Sequence, residues 1–201
     1  MNIFYYTTIE TPFGTSLIAS IEDRICWFSF KDNGERFKQF LSSYVDCATS
    51  SLIKSNFSLF RKNYPDIARM IISKKYSVVE DKTRFDLPVR LINDYFEGKE
   101  VSFSGLNLTY LTGTYFQQQV WDTLRNIPYG KVISYKELAL KAGKPGASRA
   151  AGTANSKNLL PLIVPCHRVI KSDGKIGGYS GGTGIKEKLL TLENNSFVIK
   201  I

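Results

Sequence analysis

The first thirty residues contain three short apolar runs separated by turn-forming residues. The runs 2–10, 15–21 and 24–30 are rich in β-branched and aromatic side chains, with a Thr-Pro-Phe-Gly turn before the second and a Glu-Asp pair before the third. Runs of this kind are typical of β-strands joined by tight loops. The pattern therefore predicts an antiparallel meander in this part of the chain.

Apolar residues at helical spacing follow the meander. They predict helices over 35–44, 52–63 and 86–97, the last with its large apolar residues on one helical face. We therefore expect a small structural domain over 1–111, with its end in the glycine-punctuated stretch 101–114.

The second half of the chain has helical patterns with abrupt glycine-rich breaks. A first helix is predicted over 115–125. Ser134 and Glu137 have the spacing of a capping box, which predicts the start of a second helix that ends at Gly143. A third helix over 147–156 follows a short turn, so these two helices form a helix-turn-helix.

The fold class expected from these elements is α+β. A small N-terminal antiparallel sheet with helices is followed, over 112–201, by a mainly helical, winged-helix-like domain that contains the helix-turn-helix. A length of 201 residues supports two modest domains whose cores need neither disulfides nor a metal.

The charge of the chain is concentrated in its second half. Residues 1–108 hold 14 Lys and Arg against 13 Asp and Glu, whereas residues 109–201 hold 13 against 5. A basic half indicates a polyanionic partner such as nucleic acid, although a basic surface can also serve solubility alone.

The low and odd count of three cysteines indicates a reducing compartment. The sequence also shows no apolar run of membrane-spanning length and no visible secretory signal. We therefore expect the protein in the cytoplasm, without a membrane partner, and also in the nucleus if its source is a eukaryote.

The predicted third helix has small side chains except for Arg149. So slim a helix can enter a DNA groove, with Arg149 reaching between the bases. The alternative is close packing of this helix on another helix, with Arg149 in solvent.

Cys166 and His167 end an apolar stretch over 159–164 and are the strongest candidates for chemistry. A cysteine thiolate is a nucleophile, and His167, the only histidine of the chain, could take the thiol proton. Consecutive side chains diverge, so a water would bridge them. Glu193, on a helix predicted over 185–193, could orient the histidine, or could pair with Lys186 or Lys188 on the surface instead.

Six glycines fall within residues 174–184 without matching a phosphate-binding motif. Such a loop could present its backbone to a flat ligand with Tyr179 as a stacking wall, or could be a flexible connection. With one histidine and no close cysteine pair, no metal site is predicted. Cys26 and Cys47 look structural, and the sequence leaves open whether a disulfide bond joins them.

Ordered motifs run through this half of the chain. They are Thr114-Tyr115-Phe116-Gln117, Val120-Trp121, Ile127-Pro128-Tyr129-Gly130, Ser134-Tyr135, Arg149-Ala150-Ala151-Gly152, Asn158 before Pro161, Ile163-Val164-Pro165-Cys166-His167-Arg168-Val169 and Gly178-Tyr179-Ser180-Gly181-Gly182. From about 114 to 193 the chain thus resembles the O6-alkylguanine-DNA alkyltransferases, also called methylated-DNA-protein-cysteine methyltransferases. Residues 1–110 resemble the N-terminal domain of that family only loosely.

The resemblance implies a DNA-repair activity. The alkyl group of O6-alkylguanine, and of O4-alkylthymine, in double-stranded DNA would move to Cys166 in a single turnover, with no cofactor and with the protein as a monomer. His167 would take the thiol proton through a water, Glu193 would hold His167, and Asn158 would tie the recognition element to the active-site segment. Arg168 would support the structure or the thiolate.

The resemblance also implies how the damaged base is reached. Arg149 would fill the space left by the flipped nucleotide, and Tyr135 would rotate that nucleotide and protonate the departing guanine. The further residues expected to contact DNA are Ala150, Gly152 and Thr153. Those expected to line the base pocket are Tyr179, Ser180 and Val169.

Two other functions remain open at this point. A module that only recognises damaged DNA would keep its effect without Cys166, and a cysteine hydrolase using Cys166 and His167 would turn over repeatedly without DNA. Some family members bind zinc through N-terminal Cys and His residues, which a chain with His167 alone cannot copy.

Overall fold

The computed structural model describes residues 2–32, 34–48, 62–73, 75–179 and 182–194. They form two compact units: the first comprises Met1–Val89 and Leu106–Tyr115, and the second comprises Arg90–Gly105 and Phe116–Ile201. Among the described residues, no helix is long and apolar enough to cross a membrane. The predicted functional boundary between residues 111 and 112 stays a prediction.

The first unit contains a four-stranded sheet. Its strands are β1 Asn2–Thr11, β2 Gly14–Ile21, β3 Arg24–Ser29 and β4 Tyr76–Glu80, in the order β3-β2-β1-β4. The first three form the predicted antiparallel meander. β4 was not predicted, and it pairs with β1 in parallel, so the sheet is mixed rather than purely antiparallel. Parallel pairing requires a long crossover, which here contains helices.

Helix α1 Glu35–Ala48 begins where the first predicted helix begins, and it buries Phe37 and Leu41 completely or almost so. Helix α2 Pro65–Ile72 was not predicted. The helix predicted over 52–63 lies outside the described residues except for its last two positions. Cys26 is a free thiol, whereas the side chain of Cys47 lies outside the part of the chain that is described.

Helix α3 Asp86–Phe96 matches the third predicted helix. Its residues from 90 onward and the irregular stretch to residue 105 belong to the second unit, although they precede the predicted boundary. The chain therefore contributes a segment of about sixteen residues from its first half to the unit that carries Cys166.

The second unit is mainly helical, as predicted. Its further elements are α4 Tyr115–Arg125, β5 Ile133–Ser134, α5 Tyr135–Lys141, α6 Ser148–Ser156, a 3-10 helix Cys166–Arg168, β6 Val169–Ile170 and α7 Thr183–Glu193. β5 and β6 form a short parallel pair. The capping box at the start of α5 is confirmed, since the side chains of Ser134 and Glu137 each bond the main chain of the other.

The small residues of α6 allow the main chain of this helix to approach its neighbour closely. Trp121 of α4 is 2% exposed, and its indole Nε1 donates to the carbonyl of Ala154 at 2.8 Å. Ala151, Ala154 and Asn155 form the buried face of α6. The packing alternative is therefore correct for this face of the helix.

Candidate active site

A braced loop places Cys166. Asn158 Nδ2 donates to the carbonyl of Val164 at 2.8 Å, and Asn158 Oδ1 accepts from the amide of Leu160 at 3.0 Å. Leu160, Leu162 and Ile163 of this loop are buried, so the loop has little freedom to shift. It presents Cys166 as the first residue of a 3-10 helix.

Asn155 was not predicted as part of this site. Its side-chain Nδ2 donates to the carbonyl of Cys166 at 3.2 Å, from a position on α6 that is 3% exposed. An amide on the buried face of a helix otherwise made of small residues is the signal that could have identified it. Asn155 joins the slim helix directly to the main chain of the nucleophile.

The thiol of Cys166 is buried and neutral. Burial raises the pKa of Cys166 to about 11, against the opposing influence of the Asn158 side chain and the positive charge of Lys186. At neutral pH the thiol therefore keeps its proton, and a base must remove it during any reaction at sulfur.

His167 and Glu193 form the pair that the sequence predicts. His167 Nε2 lies 2.7 Å from Glu193 Oε1, and both side chains are almost completely buried. Burial alone would raise the pKa of Glu193, but the hydrogen bonds from His167 and Arg168, with the charge of Arg168, outweigh burial and lower it to about 2. Burial lowers the pKa of His167.

These pKa directions fix the tautomer of the imidazole. An ionised carboxylate only accepts hydrogen bonds, so Nε2 of His167 carries the proton and Nδ1 keeps a free lone pair. Nδ1 is buried and has no hydrogen-bond partner among the described residues. His167 is thus a neutral base with its acceptor atom available.

Five donors surround the Glu193 carboxylate. Oε1 accepts from His167 Nε2, from the Tyr95 hydroxyl at 2.7 Å and from Arg168 Nη2 at 2.8 Å. Oε2 accepts from Arg168 Nε at 2.9 Å and from the amide of Gly130 at 3.1 Å. Arg168 also donates through Nη1 to the carbonyl of Ile127 at 2.7 Å, so its role includes holding the active-site carboxylate.

Lys186 is a buried cation, so the alternative that placed it on the surface as a partner of Glu193 is wrong, and its part in the site was missed. Its side-chain Nζ donates to the carbonyls of Val169 at 2.5 Å and Ile176 at 2.7 Å. Burial lowers the pKa of Lys186 to about 8, against the influence of Cys166. Lys186 lies seven residues before Glu193 on α7, and this helical spacing on the buried face was the available signal.

Tyr135 and Tyr179 lie close to the thiol. Burial, followed by the charge of Cys166, raises the pKa of both hydroxyls. A Cβ placed on Gly177 would come within 3.2 Å of the Tyr135 hydroxyl, so glycine gives this phenol its space. The Tyr179 hydroxyl is buried, and its interaction with the Cys166 side chain also raises its pKa.

Val169 and Ser180 are the other two residues predicted to line the base pocket. Val169, at the start of β6, is completely buried, and its carbonyl accepts from Lys186. Ser180 lies outside the described residues.

The residues predicted to contact DNA lie together on α6. Arg149, Ala150 and Thr153 are exposed on the face opposite the buried one, and Gly152 is half-buried. A Cβ on Gly152 would lie 3.6 Å from the Tyr135 ring, so the phenol packs against the side of this helix. The structure thus brings the predicted DNA face close to the predicted site.

Known proteins resemble this chain in sequence and in fold. A methylated-DNA-protein-cysteine methyltransferase of Methanosarcina barkeri is 50% identical over 59% of this chain and 73% of its own length. The corresponding protein of Methanosarcina acetivorans is 35% identical over 95% of this chain and 99% of its own length. The crystal structure of Mycobacterium tuberculosis OGT in complex with DNA, at 32% identity, covers 95% of this chain and 93% of its own chain with a TM-score of 0.69.

Two family models match in succession. Residues 4–110 match the model described as 6-O-methylguanine DNA methyltransferase, ribonuclease-like domain. Residues 115–195 match the model described as 6-O-methylguanine DNA methyltransferase, DNA binding domain. Since these matches span nearly the whole chain, and the Methanosarcina acetivorans relative aligns over almost all of it, the chain belongs to the 6-O-methylguanine DNA methyltransferase family.

Proposed function

We propose that this protein repairs DNA by moving the alkyl group of O6-alkylguanine, and of O4-alkylthymine, onto the sulfur of Cys166. The observation that carries the proposal is a buried, neutral thiol next to a neutral histidine whose other nitrogen is held by an ionised carboxylate. That arrangement suits a nucleophile which must lose its proton as it reacts.

The proton path follows from the tautomer of His167. The Cys166 thiol transfers its proton through one bridging water to the lone pair on His167 Nδ1, because adjacent side chains do not bond each other directly. Glu193 stabilises the imidazolium that forms. Lys186 and Asn158 stabilise the thiolate during this step.

The chemical step is a displacement at carbon. The thiolate forms a bond from sulfur to the alkyl carbon, the bond between that carbon and O6 breaks, and guanine leaves with the electron pair. The hydroxyl of Tyr135 protonates the departing base, and its half-buried position near Cys166 supports this role. The lesion supplies the alkyl group, so the reaction needs no cofactor.

The product limits each protein molecule to one reaction. A thioether on Cys166 has no proton to lose and is not readily hydrolysed, and burial of the sulfur adds protection from solvent. We therefore propose a stoichiometric, single-turnover transfer by a monomer.

The DNA is bound through the exposed face of α6. An alkylated base inside a duplex is out of reach of a buried thiol, so the nucleotide must be extruded first. Arg149 fills the space left in the duplex, Tyr135 turns the nucleotide, and Ala150, Gly152 and Thr153 let the helix approach the minor groove. Tyr179, Ser180 and Val169 line the pocket that receives the base. In this proposal, residues 112–201 bind DNA and accept the alkyl group.

Intact-mass measurement after incubation with duplex DNA containing O6-methylguanine tests the proposal. We expect one added methyl group per protein chain, located on Cys166 by peptide mapping and absent from C166A. The matched control is C26A, because Cys26 is also a buried free thiol but lies in the first unit. Tight binding without a mass change would favour a module that only recognises lesions.

A further inference from the structure

The hydroxyl of Tyr95 is a buried hydrogen-bond donor that the proposed mechanism does not yet use. Tyr95 is completely buried near the end of α3, and its hydroxyl donates to Glu193 Oε1 at 2.7 Å. The two residues are 98 positions apart in the sequence and belong to the same compact unit. This contact brings a segment from the first half of the chain to the active-site carboxylate.

The ring of Tyr95 is fixed in place by its neighbours. It packs edge to face on Phe96 and Tyr129, with ring centroids 5.3 and 5.8 Å away, and lies against Phe103 at 6.1 Å. Burial and the negative charge of Glu193 raise the pKa of Tyr95, so the phenol keeps its proton and donates. A rigid ring with a protonated hydroxyl sets both the position and the charge of its acceptor.

The acceptor atom is shared with the histidine. Glu193 Oε1 receives the Tyr95 hydroxyl and His167 Nε2, both at 2.7 Å. Every donor to that oxygen withdraws some of the negative charge that would otherwise stabilise a protonated His167. Tyr95 therefore acts on the histidine through the carboxylate, without touching the thiol or the substrate.

We infer that Tyr95 is a positioning residue of the alkyl transfer: its hydroxyl orients the Glu193 carboxylate and keeps His167 neutral and ready to accept a proton. The inference rests on the proposed function for its catalytic consequence. It assigns to residues 90–105 a part in the chemistry, beyond that of a structural support.

Other polar and charged groups also lie close to this pair. Arg168, Tyr129 and the amide of Gly130 also face Glu193, whereas Lys186 and Tyr179 face His167. Tyr129 provides the matched control because its hydroxyl donates to the carbonyl of Leu192 at 3.3 Å instead of to the carboxylate.

The test compares wild type, Y95F and Y129F in two ways. His167 is the only histidine, so its imidazole signals in an NMR titration of the unreacted protein are unambiguous. We expect the pKa of His167 to rise by about half a unit or more in Y95F and to stay within roughly 0.2 units in Y129F. The acid limb of the rate of methyl transfer against pH should move upward by the same amount in Y95F alone.

Two results would overturn the inference. One is a Y95F protein whose histidine titration and acid limb coincide with those of wild type, and the other is an equal shift in Y129F, which would indicate general loosening of the aromatic cluster. If Y95F does not fold, the test is made on the wild-type protein by NMR. We expect a slowly exchanging Tyr95 hydroxyl proton with a nuclear Overhauser contact to the His167 Nε2 proton. The absence of that contact contradicts the inference. The histidine titration does not depend on methyl transfer. If the proposed function is wrong, the wild-type protein will show no methyl transfer, whatever the titration of Y95F shows.

Discussion

At the scale of single residues, Lys186 combines two demands that oppose each other. Burial disfavours its charge, yet two main-chain carbonyls and, once it forms, the Cys166 thiolate favour it. Keeping a cation in this buried position costs desolvation free energy. The cation in turn stabilises an anion that forms next to it, and here that anion is the Cys166 thiolate. The surroundings of Lys186 therefore connect packing of α7 to reactivity at sulfur.

Replacement of Lys186 by methionine should slow the reaction by making the Cys166 thiolate less stable relative to the thiol. Without the charge, the pKa of Cys166 rises further above neutrality, and one unit of rise lowers the thiolate fraction about tenfold at pH 7. We expect a rate with free O6-alkylguanine that falls about tenfold or more and recovers as the pH increases. Lys188→Met on the exposed side of the same helix is the control. A rate of K186M that matches wild type across the pH range would contradict this role.

At the scale of elements, the two faces of α6 differ in their surroundings. Its buried face contacts Trp121 and holds Cys166 through Asn155, while its exposed face carries Arg149. In the proposed function, DNA binding and placement of Cys166 therefore depend on the same helix.

Replacement of Arg149 by alanine should separate base extrusion from chemistry. Extrusion costs a few kcal/mol in a duplex and nothing for a free base, so we expect R149A to lose roughly tenfold or more in rate on duplex DNA. Its rate with free O6-alkylguanine should stay near that of wild type. K157A is the control, since Lys157 is exposed at the end of the same helix. Equal losses with both substrates would show that Arg149 acts on the site itself.

Some parts of the fold and of the candidate site could be predicted from local sequence, and others could not. The α5 capping box, the meander and the pair of Cys166 with His167 are local patterns, and each was predicted from residues a few positions apart. β4 pairs with β1 across more than sixty residues, and Tyr95 reaches Glu193 across 98, so neither contact leaves a periodic signal. Lys186 was missed for a different reason: its helical position was visible, but lysine is rarely buried.

At the scale of the whole molecule, the uneven charge predicts how DNA binding responds to salt. The excess of basic residues lies in 109–201, and several of these lysines are exposed. Each phosphate contact releases counterions and contributes about 0.9 to the slope of log affinity against log salt. Binding to undamaged duplex DNA should therefore weaken steeply as salt increases, as measured by fluorescence anisotropy.

Two triple variants with the same net charge locate the surface responsible. One replaces Lys136, Lys141 and Lys144 of the second unit by glutamine, and the other replaces Lys62, Lys75 and Lys82 of the first unit, all six being exposed. If phosphates lie along the second unit, the first variant should lose up to about 0.9 of slope for each lysine in contact, and the second should keep the wild-type slope. Equal slopes in the two variants would mean that net charge, rather than its placement, governs binding.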